Sequence, residues 1–246
     1  LARMKIYGPP GTKEGRIKGG KVSQQRRREN PEYYRLLGCK VKKEFTLEKT
    51  ESFAEATGII LGDGSITNYQ VSISLGGKVD REYAYFVKRL FLKVFRESPA
   101  WHEYKDNVIV LQNSGIGLVE KLVSFGLKKG NKINQHVCFP EWIWGNINFQ
   151  KACVRGLMDT DGSFYSYRPT NRKRGKNFAI CFTSYSKPLL LNVSKVLDNL
   201  KIKHTFVKNR LYIYSINAIN EYYNFIGSNN PKHKDKYIEY FETRES

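Results

Sequence analysis

The amino-acid sequence predicts an α+β protein built from two similar halves. A short phrase occurs twice, first as Gly58-Ile-Ile-Leu-Gly-Asp63-Gly64 and again as Gly156-Leu-Met-Asp-Thr-Asp161-Gly162. Around each copy, hydrophobic periodicity predicts the same order of elements, namely helix, strands, helix, strands, helix. A repeated phrase within a repeated element order indicates a duplicated fold. The length of 246 residues fits two such halves.

Residues 1–47 are predicted to form a basic N-terminal arm with one short helix. This segment holds thirteen basic and four acidic side chains. Residues 8–30 are poor in apolar side chains, which predicts an extended arm without a core of its own. Asn30 and Pro31 are typical of an N-cap followed by the first helical residue, and they predict a short helix that ends near Gly38.

Residues 48–135 form the first predicted repeat. Its first helix is expected over residues 51–61, with Gly64 as the left-handed residue that closes it. The following strand, residues 65–75, has a polar face and an apolar face. The later elements are a helix over 80–95, a hairpin of residues 101–104 and 108–112, and a helix over 117–125.

Residues 136–246 form the second predicted repeat, with the same order of elements. The expected elements are a helix over 149–160, strands 164–167 and 178–183, a helix over 187–200, hairpin strands 205–207 and 211–214, and a helix over 216–226. The loop 168–176 between the first two strands carries five basic residues in nine. This half therefore has a long basic hairpin where the first half has a short one.

Composition points to nucleic acid as the partner. Forty-two Lys and Arg residues against 23 Asp and Glu give a net charge of +19, which is typical of a polyanion binder. The four cysteines are far apart and include no Cys-x-x-Cys pair, which indicates neither a zinc site nor a disulfide framework. We therefore expect an intracellular protein of a reducing compartment, in the cytoplasm, the nucleoid or an organelle, and not a secreted one. No apolar run has the length of a membrane span, so no membrane partner is expected.

Each copy of the repeated phrase ends on an Asp-Gly pair, and this end is electrostatically unusual. The carbonyl end of a helix carries partial negative charge, so a carboxylate there is unfavourable by a few tenths to ~1 kcal/mol unless a cation compensates it. Two such carboxylates, Asp63 and Asp161, predict a divalent cation between them. An Asp-Gly pair that simply ends a helix is the alternative reading of either copy alone.

Small residues in the two helices predict that the helices pack closely. Gly58 and Gly62 lie one turn apart on one helix face, as do Gly156 and Thr160. Close packing along these faces would bring Asp63 and Asp161 together at one end.

The two phrases resemble the paired signature of the LAGLIDADG homing endonucleases, in the single-chain form with two repeats. The likeness covers about residues 48–240, and Gly227-Ser-Asn-Asn-Pro231-Lys232-His233 is a further mark of it. The resemblance implies two pseudo-symmetric αββαββα repeats with the signature helices at their interface. It also implies that two curved antiparallel sheets form a saddle for DNA. The first copy departs from the signature at Leu61, where the family name has its earlier acidic residue. The second copy keeps that acidic residue as Asp159.

The resemblance also implies a set of site residues. Asp63 and Asp161 would bind catalytic Mg²⁺, and the backbone carbonyls of Gly62 and Thr160 would be further ligands. Asp159 would be a capping or interface residue. One basic residue in each half would stabilise charge at the scissile phosphate, and by position these are Lys132 and Lys232, with Lys129 as the substitute for the first. A solvated surface lysine is the alternative for each.

The polar strand faces are the predicted DNA-reading surfaces, because a two-stranded ribbon fits the major groove. The predicted base readers in the first half are Asn68, Gln70, Ser72 and Ser74, and in the second half Tyr165, Tyr167 and Asn177. The basic loop is expected to contact phosphates, through Arg168, Arg172, Lys173, Arg174 and Lys176.

The function implied is that of a monomeric, Mg²⁺-dependent, site-specific DNA endonuclease that makes a double-strand break in a long asymmetric target. Intron-encoded and free-standing forms of such proteins have the same appearance. An RNA maturase that binds intron RNA, or a catalytically silent DNA-binding protein of the same fold, are the alternatives.

Overall fold

A computed structural model describes residues 2–39, 43–168 and 177–245 of the chain. It contains two compact units, Leu1–Glu44 and Phe45–Ser246. The second unit carries both copies of the repeated phrase. No described helix is long and apolar enough to cross a membrane.

The first unit is helical, and the prediction of an extended arm over residues 8–30 is wrong. Its helices are α1 (Ala2–Tyr7), α2 (Lys13–Glu29) and α3 (Pro31–Leu36), of which only α3 was predicted. Helix α2 starts because the Thr12 side chain accepts a hydrogen bond from the amide of Gly15, at 3.0 Å. It continues because Lys, Arg and Gln are good helix formers even where no core exists. The low apolar content of this segment indicates that it has no large core, but it does not exclude a helix.

The first repeat follows the predicted order. It begins with helix α4, which Thr50 caps by accepting from the amide of Phe53. The predicted strand 65–75 is two strands joined by a turn. The elements are α4 (Glu51–Leu61), β1 (Gly64–Ile66), β2 (Gln70–Gly76), α5 (Arg81–Phe95), β3 (Ala100–Tyr104), β4 (Val108–Ser114) and α6 (Ile116–Ser124).

The second repeat has the same order and ends with a helix that was not predicted. A short 3₁₀ helix, Glu141–Gly145, lies just before the first helix of this repeat. The elements are α7 (Ile147–Asp161), β5 (Gly162–Tyr167), β6 (Asn177–Thr183), α8 (Lys187–Asn199), β7 (Thr205–Val207), β8 (Arg210–Ile213), α9 (Ile216–Phe225) and α10 (Pro231–Glu245).

Each repeat contributes one four-stranded antiparallel sheet, and the two sheets have matching orders. The orders are β1-β2-β4-β3 and β5-β6-β8-β7. In the first sheet Ile73 pairs with Leu111, and in the second Ile180 pairs with Ile213, and all four side chains are buried. Alternate residues on the same strands turn to the other face. The predicted α+β duplication is confirmed.

Helices α4 and α7 pack directly against each other at the centre of the second unit. A Cβ atom on Gly58 would lie 2.0 Å from the carbonyl oxygen of Cys153, and one on Gly156 would lie 2.2 Å from that of Glu55. The helices are therefore in backbone contact at both positions, which only glycine permits. The predicted close approach along small residues is confirmed.

Two local predictions were wrong. Gly64 does not adopt the left-handed conformation, since it is absent from the residues with positive φ and starts β1. It must be glycine for a different reason, because a Cβ there would lie 2.5 Å from the Cα and the carbonyl oxygen of Ile60. Asn68 lies in the turn between β1 and β2, so it does not share a strand face with Gln70.

Candidate functional site

The ends of the two central helices bring the two Asp-Gly pairs together. Helix α4 ends at Leu61, so Asp63 lies in the turn that leads into β1, whereas Asp161 is the last residue of α7. A Cβ on Gly62 would lie 2.0 Å from Oγ1 of Thr160 and 3.3 Å from Oδ1 of Asp161. The absence of a side chain at Gly62 thus lets the two helix ends, and the two carboxylates, approach each other.

Both carboxyl groups are half-buried and both have raised pKa values. Burial is the main cause of the raised pKa of Asp63, with a further increase from the charge of Asp80. Burial and the nearby charge of Asp63 raise the pKa of Asp161 to about 7. The cation of Lys132 opposes both shifts without cancelling them. Without a bound cation, full ionisation of both carboxyl groups is therefore unfavourable.

Among the described residues, Lys132 is the cation whose charge acts most strongly on both carboxyl groups. Its half-buried ammonium donates a hydrogen bond to the carbonyl oxygen of Gly62. Burial lowers the pKa of Lys132, and the charges of Asp161 and Asp63 act in the opposite direction. The structure therefore brings the predicted Lys132 to the two carboxylates, at a carbonyl oxygen that was predicted as a metal ligand.

The donor atoms at this place fit a hard divalent cation. The carboxylates of Asp63 and Asp161 and the carbonyl of Gly62 supply oxygen ligands, which Mg²⁺ prefers. Within the described ranges, no group of three or more His, Cys, Asp or Glu residues is arranged to hold a metal. A site with two carboxylates fits Mg²⁺, which is often bound by one or two carboxylates together with substrate phosphates. The hydroxyl of Thr160 is turned to its own helix, where it donates to the carbonyl of Leu157 at 2.9 Å.

The second predicted lysine has a different environment. The ammonium of Lys232, at the start of α10, lies 2.6 Å from Oδ1 of Asp80, just before α5 of the other repeat. Its charge still lowers the pKa of Asp63, which places it at the edge of the site. Lys129, the substitute for Lys132, donates to Oδ1 of Asn68 at 3.1 Å, and neither of these two side chains contacts the carboxylate pair.

Asp159 holds the segment that precedes α10. Its buried carboxylate accepts hydrogen bonds from the hydroxyl of Ser228 and from the backbone amide of Asn229, the latter at 2.7 Å. The side-chain amide of Asn230 donates to the backbone carbonyl of Asp159 at 3.0 Å and to Oδ1 of Asp80 at 3.2 Å. These contacts agree with a capping and interface role for Asp159.

The polar face of the first sheet carries three of the four predicted base readers. Gln70, Ser72 and Ser74 alternate along β2 on the face opposite to the buried Val71 and Ile73. Asn68 lies outside this row, in the turn.

The corresponding face of the second sheet is rich in tyrosine. Tyr165 and Tyr167 are half-buried on β5, and Asn177 pairs with Tyr167, so these three predicted residues share one face. Arg168 follows β5 and is exposed. The predicted phosphate contacts Arg172, Lys173, Arg174 and Lys176 lie outside the described residues.

Pairing between the strands adds residues that sequence reasoning missed. Gln112, on β4, pairs with Ser72. His102 lies on β3, the strand next to β4, in a register that puts it on the same face. Both residues therefore belong to the polar face of the first sheet. In the second sheet, Tyr212 pairs with Cys181 and stacks on Tyr214 at 5.0 Å between ring centroids. The sequence of β4, Val-Ile-Val-Leu-Gln-Asn-Ser, does not alternate, so only its pairing with β2 assigns Gln112 to this face. Asp80 left no signal, because its role depends on a partner 152 positions away along the chain.

Comparisons with known proteins agree with this architecture. Residues 148–234 match the family model described as LAGLIDADG-like domain. The reverse gyrase of Methanocaldococcus jannaschii is 27% identical over 186 residues, which are 75% of this chain and 10% of that protein. The chain thus spans about a tenth of the length of this curated relative.

Three solved structures share the fold of most of the chain. They are the I-LtrWI LAGLIDADG homing endonuclease bound to target DNA (TM-score 0.53, 13% identity, 80% of this chain and 92% of that one), the homing endonuclease I-WcaI bound to its DNA recognition sequence (0.52, 15%, 93% of each chain), and the LAGLIDADG meganuclease I-AabMI bound to uncleaved DNA (0.52, 14%, 78% and 90%).

The sequence match covers most of the second repeat, whereas the structural likeness covers both repeats. Residues 148–234 match the model of a LAGLIDADG-like domain, and the two repeats together share the fold of these three LAGLIDADG and homing endonuclease structures.

Proposed function

We propose that this protein is a site-specific, Mg²⁺-dependent DNA endonuclease that makes a double-strand break in a long asymmetric target. The observation that carries the proposal is the meeting of Asp63 and Asp161 at the end of the two central helices, where both carboxyl pKa values are raised. Uncompensated paired carboxylates at the junction of two repeats provide a place for cations that both strands of a duplex can share.

The roles of the chain's own residues follow from their charges. Asp63 and Asp161 would hold the divalent cation, with the carbonyl of Gly62 as an additional oxygen ligand. A bound Mg²⁺ supplies Lewis acidity at the scissile phosphate and activates water for its hydrolysis. Lys132, and Lys232 at the edge of the site, offset the negative charge that develops on the phosphate during cleavage.

The rest of the second unit is suited to hold a duplex. The net charge of the whole chain, +19, favours a polyanion, and the two polar sheet faces present hydrogen-bonding side chains of the kind that contact base edges in a groove. Residues 168–176, with five basic side chains, would add phosphate contacts. Binding to double-stranded DNA is therefore proposed to weaken steeply as salt increases.

The two sheet faces differ in chemistry, which supports an asymmetric target. The first presents Gln70, Ser72 and Gln112, which form directional hydrogen bonds with base edges. The second presents Tyr165, Tyr167 and Tyr212, whose rings favour apolar contact such as that with a thymine methyl group. Two unlike faces on one chain are expected to select two unlike half-sites, so one chain is sufficient to bind the whole target. We expect the protein to act as a monomer, in a reducing intracellular compartment.

Substitution of one carboxylate tests the proposal. A target selected from a randomised duplex library is incubated with Asp161→Asn in Mg²⁺, and bound and cleaved DNA are separated on native and denaturing gels. The variant should bind the duplex with unchanged affinity and lose double-strand cleavage. The matched control is Asp198→Asn, because the Asp198 side chain is 70% exposed on α8 and contacts only His204.

Each other outcome has a defined meaning. Wild-type cutting by Asp161→Asn would exclude the metal assignment. A wild-type protein that shifts the duplex but never cleaves it would be a silent DNA-binding protein. Preferential binding and folding of an RNA of the same sequence would instead indicate a maturase.

A further inference from the structure

Helix α2 of the first unit has one face packed and one face free. On the packed side, a Cβ on Gly15 would lie 1.9 Å from the carbonyl oxygen of Pro9. The ammonium of Lys18 donates to the carbonyl of Lys5 at 2.6 Å, and the guanidinium of Arg26 lies 5.4 Å from the ring centre of Tyr7. These three contacts fix which side of α2 faces α1.

The free side of α2 is strongly basic. At ~100° per residue, the positions that lie opposite the packed side fall within an arc of about 140°. Lys13, Arg16, Lys21 and Arg28 are exposed there, whereas Arg27, on the same side, is half-buried with its Nε atom buried. The helix thus carries a basic stripe about 22 Å long. Neither acidic residue of α2 lies within the stripe, because Glu14 falls just beyond its edge and Glu29 falls on the packed side.

The stripe also lacks the features of a packing surface. Its only large apolar side chain is Ile17, which is 52% exposed. Gly20 lies in the middle of the stripe, and a Cβ there would meet nothing within 4 Å. Neither packing nor backbone conformation therefore explains this glycine, which weakens the helix. A glycine on the free face leaves room for a ligand to approach the backbone closely.

The geometry points to α2 as a DNA-binding surface in addition to the sheets of the two repeats, with its basic stripe in contact with the phosphates of duplex DNA. The charge fits a polyanion, and an α-helix fits the major groove of B-form DNA.

The major groove of an RNA duplex is too deep and narrow for side chains to read, which favours DNA. A helix that lies on a lipid surface needs a broad apolar face, which α2 lacks. Because both units belong to one chain, DNA held by one unit is at high effective concentration for the other.

Paired charge substitutions test this surface in the full-length protein. Lys21→Gln combined with Arg28→Gln removes two charges from the free side without touching the contacts with α1. The matched control, Arg89→Gln combined with Lys93→Gln, removes two exposed charges from α5, which packs on the apolar side of the first sheet. Affinity for a random-sequence duplex is measured by fluorescence anisotropy against salt concentration, in EDTA.

The stripe variant should reduce the slope of log affinity against log salt by about 2, and the control should leave it unchanged. Restoring charge with Lys21→Arg and Arg28→Lys should restore the slope. Equal effects of the two Gln variants, or no effect of either, would overturn the inference. So would a loss of affinity confined to an RNA duplex.

The same experiment keeps this inference apart from the proposed nuclease activity. The anisotropy readout needs neither Mg²⁺ nor cleavage. A protein that never cuts DNA but shows the stripe-dependent slope would retain the α2 surface and lose the nuclease assignment. If the protein cuts its selected target but Lys21→Gln and Arg28→Gln leave the slope of log affinity against log salt unchanged, the nuclease assignment stands. The α2 surface is then excluded.

Discussion

The ammonium of Lys232 lies 2.6 Å from Oδ1 of Asp80, and this salt bridge joins the two repeats beside the carboxylate pair. Asp80 comes just before α5 of the first repeat, and Lys232 belongs to the first turn of α10 in the second. The side chain of Asp80 is 13% exposed and that of Lys232 27% exposed. Asp80 therefore restricts where the Lys232 ammonium can point.

Substitution of Asp80 should affect both stability and cleavage. In Asp80→Asn the ammonium loses its charged partner, so we expect the free energy of unfolding to fall by about 1–2 kcal/mol. The cleavage rate should fall by roughly tenfold at saturating DNA, because Lys232 is no longer held at the edge of the site. Urea unfolding and single-turnover cleavage measure the two effects. Asp80→Glu should recover part of the cleavage rate, whereas an effect on stability alone would limit Asp80 to a structural role.

Raised carboxyl pKa values predict that the metal-free protein loses stability as pH rises. The pKa of Asp161 increases from 3.8 to about 7 on folding, so the folded state holds a proton that the unfolded state has released in this range. The stabilisation from this proton is complete below pH ~4 and is lost as pH rises through ~7, by up to roughly 4 kcal/mol. Urea unfolding in EDTA at several pH values measures it.

The variant Asp161→Asn is the control for this pH effect. The variant cannot ionise at this position. Its free energy of unfolding should therefore change less between pH 5 and 8 than that of the wild type, because it lacks the contribution from the raised pKa of Asp161. At pH 8, without metal, it should be more stable than the wild type. Identical pH dependence of the two proteins would mean that Asp161 is ionised throughout.

Divalent metal binding should depend on pH in the opposite direction. Because a carboxylate must lose its proton to bind metal, affinity for Ca²⁺ or Mg²⁺ should rise as pH increases towards ~7 and level off above it. Calorimetric titration with Ca²⁺ at pH 6 and pH 8 measures the change. A constant affinity across this range would separate metal binding from the titration of Asp161.

The backbone contact between the central helices predicts that alanine is not tolerated there. A methyl group on Gly58 or Gly156 would overlap a carbonyl oxygen of the facing helix, so the helices must separate. We expect Gly58→Ala and Gly156→Ala each to reduce stability by about 2–4 kcal/mol and to reduce cleavage, since Asp63 and Asp161 move apart with the helices. Gly145→Ala is the matched control, because a methyl group there would meet nothing within 4 Å. A small effect at Gly58 equal to that control would contradict the close contact.

The repeated phrase predicted the duplicated fold, the packing of two helices and the meeting of Asp63 and Asp161, because all of these depend on local pattern and small residues. The pattern could not predict the salt bridge of Asp80 or the segment held by Asp159, since each joins residues far apart in the sequence. Helix α10 was missed because its apolar residues are few and its first turn is rich in Lys and His. The role of Gly64 was also missed, because close approach to Ile60 and a left-handed conformation both require glycine.

The hydrogen bonds of Asp159 predict a structural role that can be separated from catalysis. Its side chain is 0% exposed, and it accepts from Ser228 and Asn229 near the imidazole of His233, 3.6 Å away. In Asp159→Asn one acceptor oxygen becomes an NH₂ group facing a donor, so stability should fall by about 2–3 kcal/mol. The smaller change Ser228→Ala should cost about 1 kcal/mol, and the double variant should show that the two effects are not additive.

Cleavage by Asp159→Asn decides between the two possible roles of this carboxylate. At a temperature where the variant is fully folded, we expect a cleavage rate within a few-fold of wild type, because the acid of this helix that we propose to hold the metal is Asp161, two residues further on. Circular dichroism establishes the folded fraction before the rate is measured. If Asp159→Asn abolished cleavage while its urea midpoint stayed at the wild-type value, Asp159 would belong to the metal centre, and the hydrogen bonds from Ser228 and Asn229 would orient a ligand.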